Sequence, residues 1–146
     1  MSSTAAIDLN GDTGPVRLAL LTEDAADAIC AGARAAGFDC VRIDLSGCDD
    51  KAGFLARTAR ALGFPGWFGH NWDALADCLT DLGWRPASGY VLVFEHASAL
   101  QKHEPEVFDT ALAILGDVAV AWQARGAPFR AFVSAQPAPD RADVLA

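Results

Sequence analysis

The sequence has no basic cluster. Its 146 residues carry 11 Lys and Arg against 19 Asp and Glu, a formal net charge of -8 with a pI near 4.6. Nucleic acid or an anionic membrane surface would have to be met against phosphate repulsion, so neither is expected as a direct partner. Such a balance suits a basic protein partner, or solubility alone. No apolar run approaches the ~18 residues needed to span a bilayer. The opening MSSTAAIDLNGDTG has neither the basic start nor the apolar stretch of a secretory signal. These absences predict a soluble, cytoplasmic protein. Cysteine is sparse: Cys30, Cys40, Cys48 and Cys78 form no C-x-x-C pair, and no His stands at zinc-ligand spacing from them. Cys30 and Cys78 sit in helical patterns beside apolar residues, where a thiol behaves as a small hydrophobe, and all four are read as reduced.

Signatures of catalysis are missing too. No glycine-rich loop joins a strand to a helix in dinucleotide or P-loop form, and no Ser or Cys has a nucleophile-elbow context. His70, His96 and His103 are scattered. An acid–base pair of Asp73 and Asp77 beside His70 is the one arrangement that chemistry could use, but carboxylates four apart on an exposed helix do not make a shared-proton dyad. As metal ligands the same three residues leave the coordination sphere open. The expectation is a protein that is not an enzyme and needs no cofactor or metal.

What is present is a globular balance, 52% hydrophobic and 21% charged, enough for one core. The pattern predicts a flexible arm over 1–14, a single α/β domain over 15–136, and a flexible tail over 137–146. Val16 to Leu21 (VRLALL) reads as a strand. Thr22 caps a helix with acids in its first turn that runs to Gly37. Cys40 to Leu45 alternates as a second strand. Asp49 or Asp50 caps a helix to about Leu62. Asn71 caps another to about Leu82, ended by Gly83. Tyr90 to Phe94 (YVLVF) is continuously apolar, as in a parallel strand buried on both faces. A short helix follows over Ala97 to Leu100. Pro105 opens a long one that Gly126 closes, and Phe129 to Val133 is the last strand. Helices separate the strands, which predicts a mostly parallel sheet.

The stretch from Phe64 to Trp84, FPGWFGHNWDALADCLTDLGW, concentrates the chemistry. Asp73, Asp77 and Asp81 recur every four residues and form a slanting row along the helix, with Leu75, Leu79 and Leu82 on the other side. Like charges at that spacing repel by roughly 0.2–0.5 kcal/mol per pair, and no Lys or Arg in the helix offsets them. The row reads either as a solvated face or as a surface that takes a cation from outside. Phe64, Trp67, Phe68, Trp72 and Trp84 surround it, and Trp67, set in the turn between glycine and Phe68, has the composition of a protein-binding anchor beside acids.

The run Pro65, Trp67, Phe68, Gly69, Asn71, Asp73, Ala74, Leu75, Asp77, Cys78, Leu79, Thr80 resembles the signature of the barstar family of intracellular ribonuclease inhibitors. The likeness extends from Phe38 to Ser134. It implies a three-stranded parallel sheet packed with helices, here with an extra N-terminal strand and helix over 15–37. It also implies an inhibitor that blocks the active site of a basic ribonuclease or nuclease toxin by phosphate mimicry, as an immunity protein that is a monomer when free. The partner-binding residues it carries over are Trp67, Asp73, Asp77 and Thr80, with Trp84 as the following aromatic. The pattern departs at Ala76, where a well-known member has tryptophan, and at Ala121, where an acid is expected on the last helix. Asp81 to Gly83 lengthen the end of the acidic helix. These departures point away from barnase itself and toward a different nuclease. The rival readings are a regulatory module for a basic partner that is not a nuclease, and a small enzyme using Asp73 and Asp77.

Overall fold

The computed structural model describes residues 14–66 and 68–136. Residues 1–13 of the expected arm, the tail over 137–146, and Trp67 lie outside the described residues. Four strands, β1 (Val16–Ala19), β2 (Asp39–Asp44), β3 (Tyr90–Glu95) and β4 (Phe129–Ser134), alternate with five helices: α1 (Glu23–Ala35), α2 (Lys51–Leu62), α3 (Trp72–Asp81), α4 (Ser98–His103) and α5 (Pro105–Ala124). The sheet is parallel throughout, in the order β1-β4-β3-β2. The added N-terminal strand and helix expected from the sequence are present, and β1 takes the edge beside β4. β1 stops at Ala19, two residues short of the expected Leu21.

The apolar run of β3 is explained by the layers around it. Val91 and Val93 point to one face, where Ala26, Ile29, Cys30 and Ala33 of α1 cover them together with Cys40 and Phe132. Tyr90, Leu92 and Phe94 point to the other, into a larger core built with α2, α3, α4 and α5. A strand buried on both faces must be apolar at every position, which is why periodicity is lost there.

Local chemistry sets the helix starts. Thr22, Asp50 and Asn71 each accept the backbone N–H three residues on, at 3.0, 2.8 and 2.8 Å, so α1, α2 and α3 each have a side-chain cap. α2 ends on Gly63 in the left-handed region (φ 67), a conformation that glycine adopts without strain. α5 has 20 residues and is apolar enough to match a membrane span by length and composition, but its apolar side, with Phe108, Leu115, Val118 and Trp122, packs into the core, and Asp109 and Asp117 face out.

α1 is fastened to the sheet in three ways. The first is the apolar contact just described. The second is Arg42 on β2, whose guanidinium grips Glu95 at 2.6 and 2.9 Å and also reaches Asp27 and Glu23 on α1. Glu95 foremost, and then Asp27, push Arg42 further up from its already high value. The third corrects the expectation of four reduced thiols: Cys30 of α1 and Cys40 of β2 are joined as a disulfide, with Cα atoms 5.5 Å apart, while Cys48 and Cys78 are free. Sequence spacing offered no sign of it, because the pair meets only when the helix lies on the strand. At the other end of the same strands Asp44 accepts from the Ser46 N–H at 2.9 Å, from His96 Nδ1 at 3.0 Å and from the Ser46 hydroxyl at 2.8 Å. These bonds, led by the Ser46 N–H, hold its carboxyl down at about 2.

Without reductant the unfolded chain should show two reactive thiols, Cys48 and Cys78, and four after reduction. Closing so short a loop is expected to contribute about 2–3 kcal/mol, read as a lower denaturation midpoint in the reduced protein. Equal midpoints would remove the bond from the account of stability. Because Asp44 is held below its ordinary 3.8, the stability it contributes is full above that value and is lost as the pH falls toward about 2. Asp44→Asn should therefore melt below the wild type near neutral pH, with the gap closing as the pH falls through about 2. A gap unchanged across that range would mean that the ionised carboxylate is not what stabilises the two strand ends.

Candidate functional site

The loop after α2 is built from aromatics that face inward. Phe64 and Phe68 meet edge to face at 4.9 Å between centroids, and Trp84 closes on Phe64 at 6.0 Å. Phe68 donates its N–H to the Pro65 carbonyl at 3.0 Å, which tightens the turn. Trp84, half-buried, donates its indole N–H to the Leu62 carbonyl at 3.0 Å, so this residue ties the end of α3 to the end of α2. Trp72 packs on Phe54 at 6.1 Å with Lys51 over its ring at 5.1 Å. His70 is exposed with φ 55, next to the Phe68 ring at 4.7 Å. An open cleft of about 250 Å³ lies here, lined by Arg60, Phe64, Pro65, Phe68 and His70 among others.

On α3, Leu75, Cys78 and Leu79 are fully buried, and Leu82 beyond them is equally so. Asp73, Asp77 and Asp81 are exposed on the other side, as the spacing predicts. None of the three forms a salt bridge among the described residues. Their negative charge is felt inside: burial pushes the Cys78 thiol up, and Asp77 and Asp81 add to that shift. Asp81 differs from the other two, because its carboxylate accepts the Gly83 N–H at 3.2 Å and so closes the chain turn after the helix. Asp73 and Asp77 have no such local partner among the described residues, and stand one turn apart, about 6 Å along the axis.

The far end of α3 holds the residue that sequence reasoning missed. The sequence places no cation within the helix, yet Arg125, just past α5, donates to the Thr80 carbonyl and stacks on Trp122 at 4.5 Å. Trp122 itself donates to the Leu79 carbonyl at 2.8 Å. Two orphan carbonyls of the helix end are thus satisfied from another element, and a positive charge sits where the helix dipole favours one. Nothing in the spacing of either segment could have revealed the pairing, which exists only because the two helices end at the same place. The helix also stops differently from the expectation: Leu82, not Gly83, takes the left-handed position (φ 48), because its buried side chain is held in the core. The inserted residues Asp81 to Gly83 therefore form the last residue of the helix and its turn, and add no further exposed helical turn.

Thr80 is half-buried and donates its hydroxyl back to the carbonyls of Ala76 at 2.8 Å and Asp77 at 3.1 Å, leaving its lone pairs available outward. Ala76 and Ala121 are both half-buried, so neither position puts a large group on the surface. The expected site residues thus separate by environment. Asp73 and Asp77 present open charge, Thr80 flanks them, Trp84 braces the helix from behind, and Trp67 lies outside the described residues. The titratable groups at the carboxyl ends of the strands, where α/β folds commonly bind ligands, are already engaged: Arg42 with Glu95, and Asp44 with Ser46 and His96. Among the described residues no three of His, Cys, Asp and Glu gather as metal ligands.

No curated protein matches the chain. A family model described as "Barstar (barnase inhibitor)" matches residues 38–134, from the start of β2 to the end of β4 and including the whole acidic helix. With two thirds of its length matched, its parallel sheet and its acidic α3 in place, the chain belongs to the barstar family.

Proposed function

We propose that this protein inhibits a basic ribonuclease or nuclease toxin by placing Asp73 and Asp77 where the enzyme binds RNA phosphates. The observation that carries this reading is the pair of exposed carboxylates, one turn apart and without an ion-pair partner among the described residues, on a helix capped at its start by Asn71 and held at its far end by Trp84 and by Trp122 with Arg125. A helix held this firmly presents its charges without further ordering on binding, which lowers the entropic penalty of association. Arg, Lys or His in a nuclease site would take up each carboxylate in a charge-assisted hydrogen bond. Asp77 is the central acid, Asp73 its partner, Thr80 a flanking acceptor and Trp67 a packing anchor. Trp84 contributes by holding the helix.

The small side chains at Ala76 and Ala121 favour an enzyme that fills those positions with its own bulk, hence a nuclease other than barnase. The protein is a monomer when free and acts in the cytoplasm, where reductants would open the Cys30–Cys40 bond. As a family of inhibitors, barstar relatives give no support to catalysis by Asp73 and Asp77. A regulatory module for a basic partner without nuclease activity would use the same face.

Purified protein should abolish the activity of its cognate nuclease at one-to-one stoichiometry. Recovery of a native partner that degrades no RNA or DNA would select the regulatory reading instead. Asp77→Ala should weaken the complex by roughly 2–5 kcal/mol, much of that the penalty for stranding a cation on the enzyme. Asp24→Ala, an equal charge change on α1 on the opposite side of the sheet, should leave it within a few-fold. Comparable losses for the two would sink the assignment of the face. Association should slow steeply with added salt, because steering between opposite charges is screened over about 10 Å at 0.1 M; a salt-independent on-rate would separate docking from the acids.

A further inference from the structure

A cation stands at one end of the acidic row, and its place is fixed. Asp73, Asp77 and Thr80 fall within about 60° of one another round α3, so they share a face. The Thr80 carbonyl points onward from the helix end, where it accepts from Arg125. Both the backbone and the side chain of Arg125 are held. Its backbone closes α5, with its N–H on the Trp122 carbonyl at 2.9 Å. Its guanidinium lies on the Trp122 ring at 4.5 Å, and the Trp122 indole is anchored in turn on the Leu79 carbonyl. A guanidinium carries several N–H donors, yet here only Nη1 finds an acceptor among the described residues. Arg125 is exposed and forms no salt bridge among them. Asp81, next to Thr80 in sequence, turns its carboxylate to the Gly83 N–H instead.

We propose that Arg125 is a specificity-determining residue of this interface: it takes a carboxylate of the nuclease, so the enzyme that fits carries an Asp or Glu beside its phosphate-binding cations. The proposal rests on the reading that Asp73 and Asp77 dock on such an enzyme. Distance decides whether Arg125 lies inside the footprint. Thr80 is about 5 Å along the axis from Asp77. A hydrogen bond of about 3 Å then carries the guanidinium further, to on the order of 10 Å from the central acid. An interface that buries about 800 Å² on each partner reaches about 16 Å from its centre if it is round. Arg125 is therefore covered when the acids are. A guanidinium that loses its water is stable only where the partner supplies acceptors. Its planar free edge, fixed by the stack on Trp122, matches the two oxygens of a carboxylate. A lysine or arginine of the enzyme at that point would be repelled. The acids thus call for cations along α3, and Arg125 excludes them at its far end, so a nuclease whose site is basic throughout fits poorly.

The test uses the nuclease that the wild-type chain inhibits one to one, with dissociation constants measured by calorimetry. Arg125→Ala should weaken the complex at least about tenfold, and Arg125→Glu at least about a hundredfold. One Asp or Glu of the enzyme, changed to Asn or Gln, should weaken binding of the wild type but lose most of that effect against Arg125→Ala, a coupling of at least about fivefold. Changing that acid to Lys should bring the Arg125→Glu complex back to within about tenfold of wild type. Arg125→Lys keeps the charge and a donor for Thr80 but lacks the planar fork, and should fall between wild type and Arg125→Ala. A role confined to bracing α3 gives a different result: Arg125→Ala and Arg125→Glu weaken binding alike, and neither couples to any acid of the enzyme. That result overturns the proposal, and so does tighter binding by Arg125→Glu. If Asp77→Ala is costly while Arg125→Glu stays within a few-fold, the acidic face stands and this proposal alone falls. If the wild type inhibits no nuclease, both fall.

Discussion

Burying both faces of β3 is the constraint on which the rest of the structure depends. Val91 and Val93 need one cover, and Leu92 and Phe94 need another. A three-stranded sheet with helices on one side alone would leave the first pair in water, and each exposed Val, Leu or Phe forfeits about 1.5–3 kcal/mol of burial. α1 supplies the missing layer; its apolar contacts and the Arg42 clasp hold it there, and the Cys30–Cys40 disulfide adds to them wherever it is oxidised. Cys30 and α1 lie outside the matched family span of 38–134, whereas Cys40 and Arg42 lie within it. The N-terminal segment is thus integrated into the core and is not an appendage to it.

With the sheet secured, the opposite layer can carry an electrostatically unfavourable helix. α3 has three exposed acids and no cation of its own, and its stability comes from Leu75, Leu79 and Leu82 in the core together with the Asn71 cap. The few tenths of a kcal/mol lost to repulsion are small beside that burial. Arg125 offsets charge only at the far end, next to Thr80 and Asp81, and leaves Asp73 and Asp77 open. Packing energy thus outweighs the repulsion on a charged face that forms no salt bridge among the described residues.

What could be read from the chain followed the range of each interaction. Thr22 and Asn71 were legible as caps, and Asp50 as one of two candidates with Asp49, because capping is settled within three residues, and the continuous run YVLVF announced a doubly covered strand. The row of Asp73 and Asp77 was legible because helical periodicity alone puts it on one face. Contacts between distant elements were not. Cys30 meets Cys40 only after α1 lies on β2, and Arg125 meets Thr80 only because α5 and α3 finish side by side. Trp84 was legible only as the aromatic that follows the acidic helix, and the bond from its indole N–H back to Leu62 was not. Leu82 took the turn position expected of Gly83, since core burial outweighs the modest strain of a left-handed leucine.

The strand order has a consequence for how this protein is made. Of the four described strands β1 is synthesised first, but its neighbour in the sheet is β4, the last of the four to leave the ribosome, and Leu21 is held by the Ser134 hydroxyl across 113 residues of chain. During synthesis α1 can settle only once β2 and β3 exist, and β1 must wait for the end of the domain. Until then Val16 and Leu18 have no core to enter. Pairing of β1 with β4 is thus a late step, and a nascent domain that still lacks β4 would leave Val16 and Leu18 more exposed than the folded one does, the kind of signal that chaperones and proteases read.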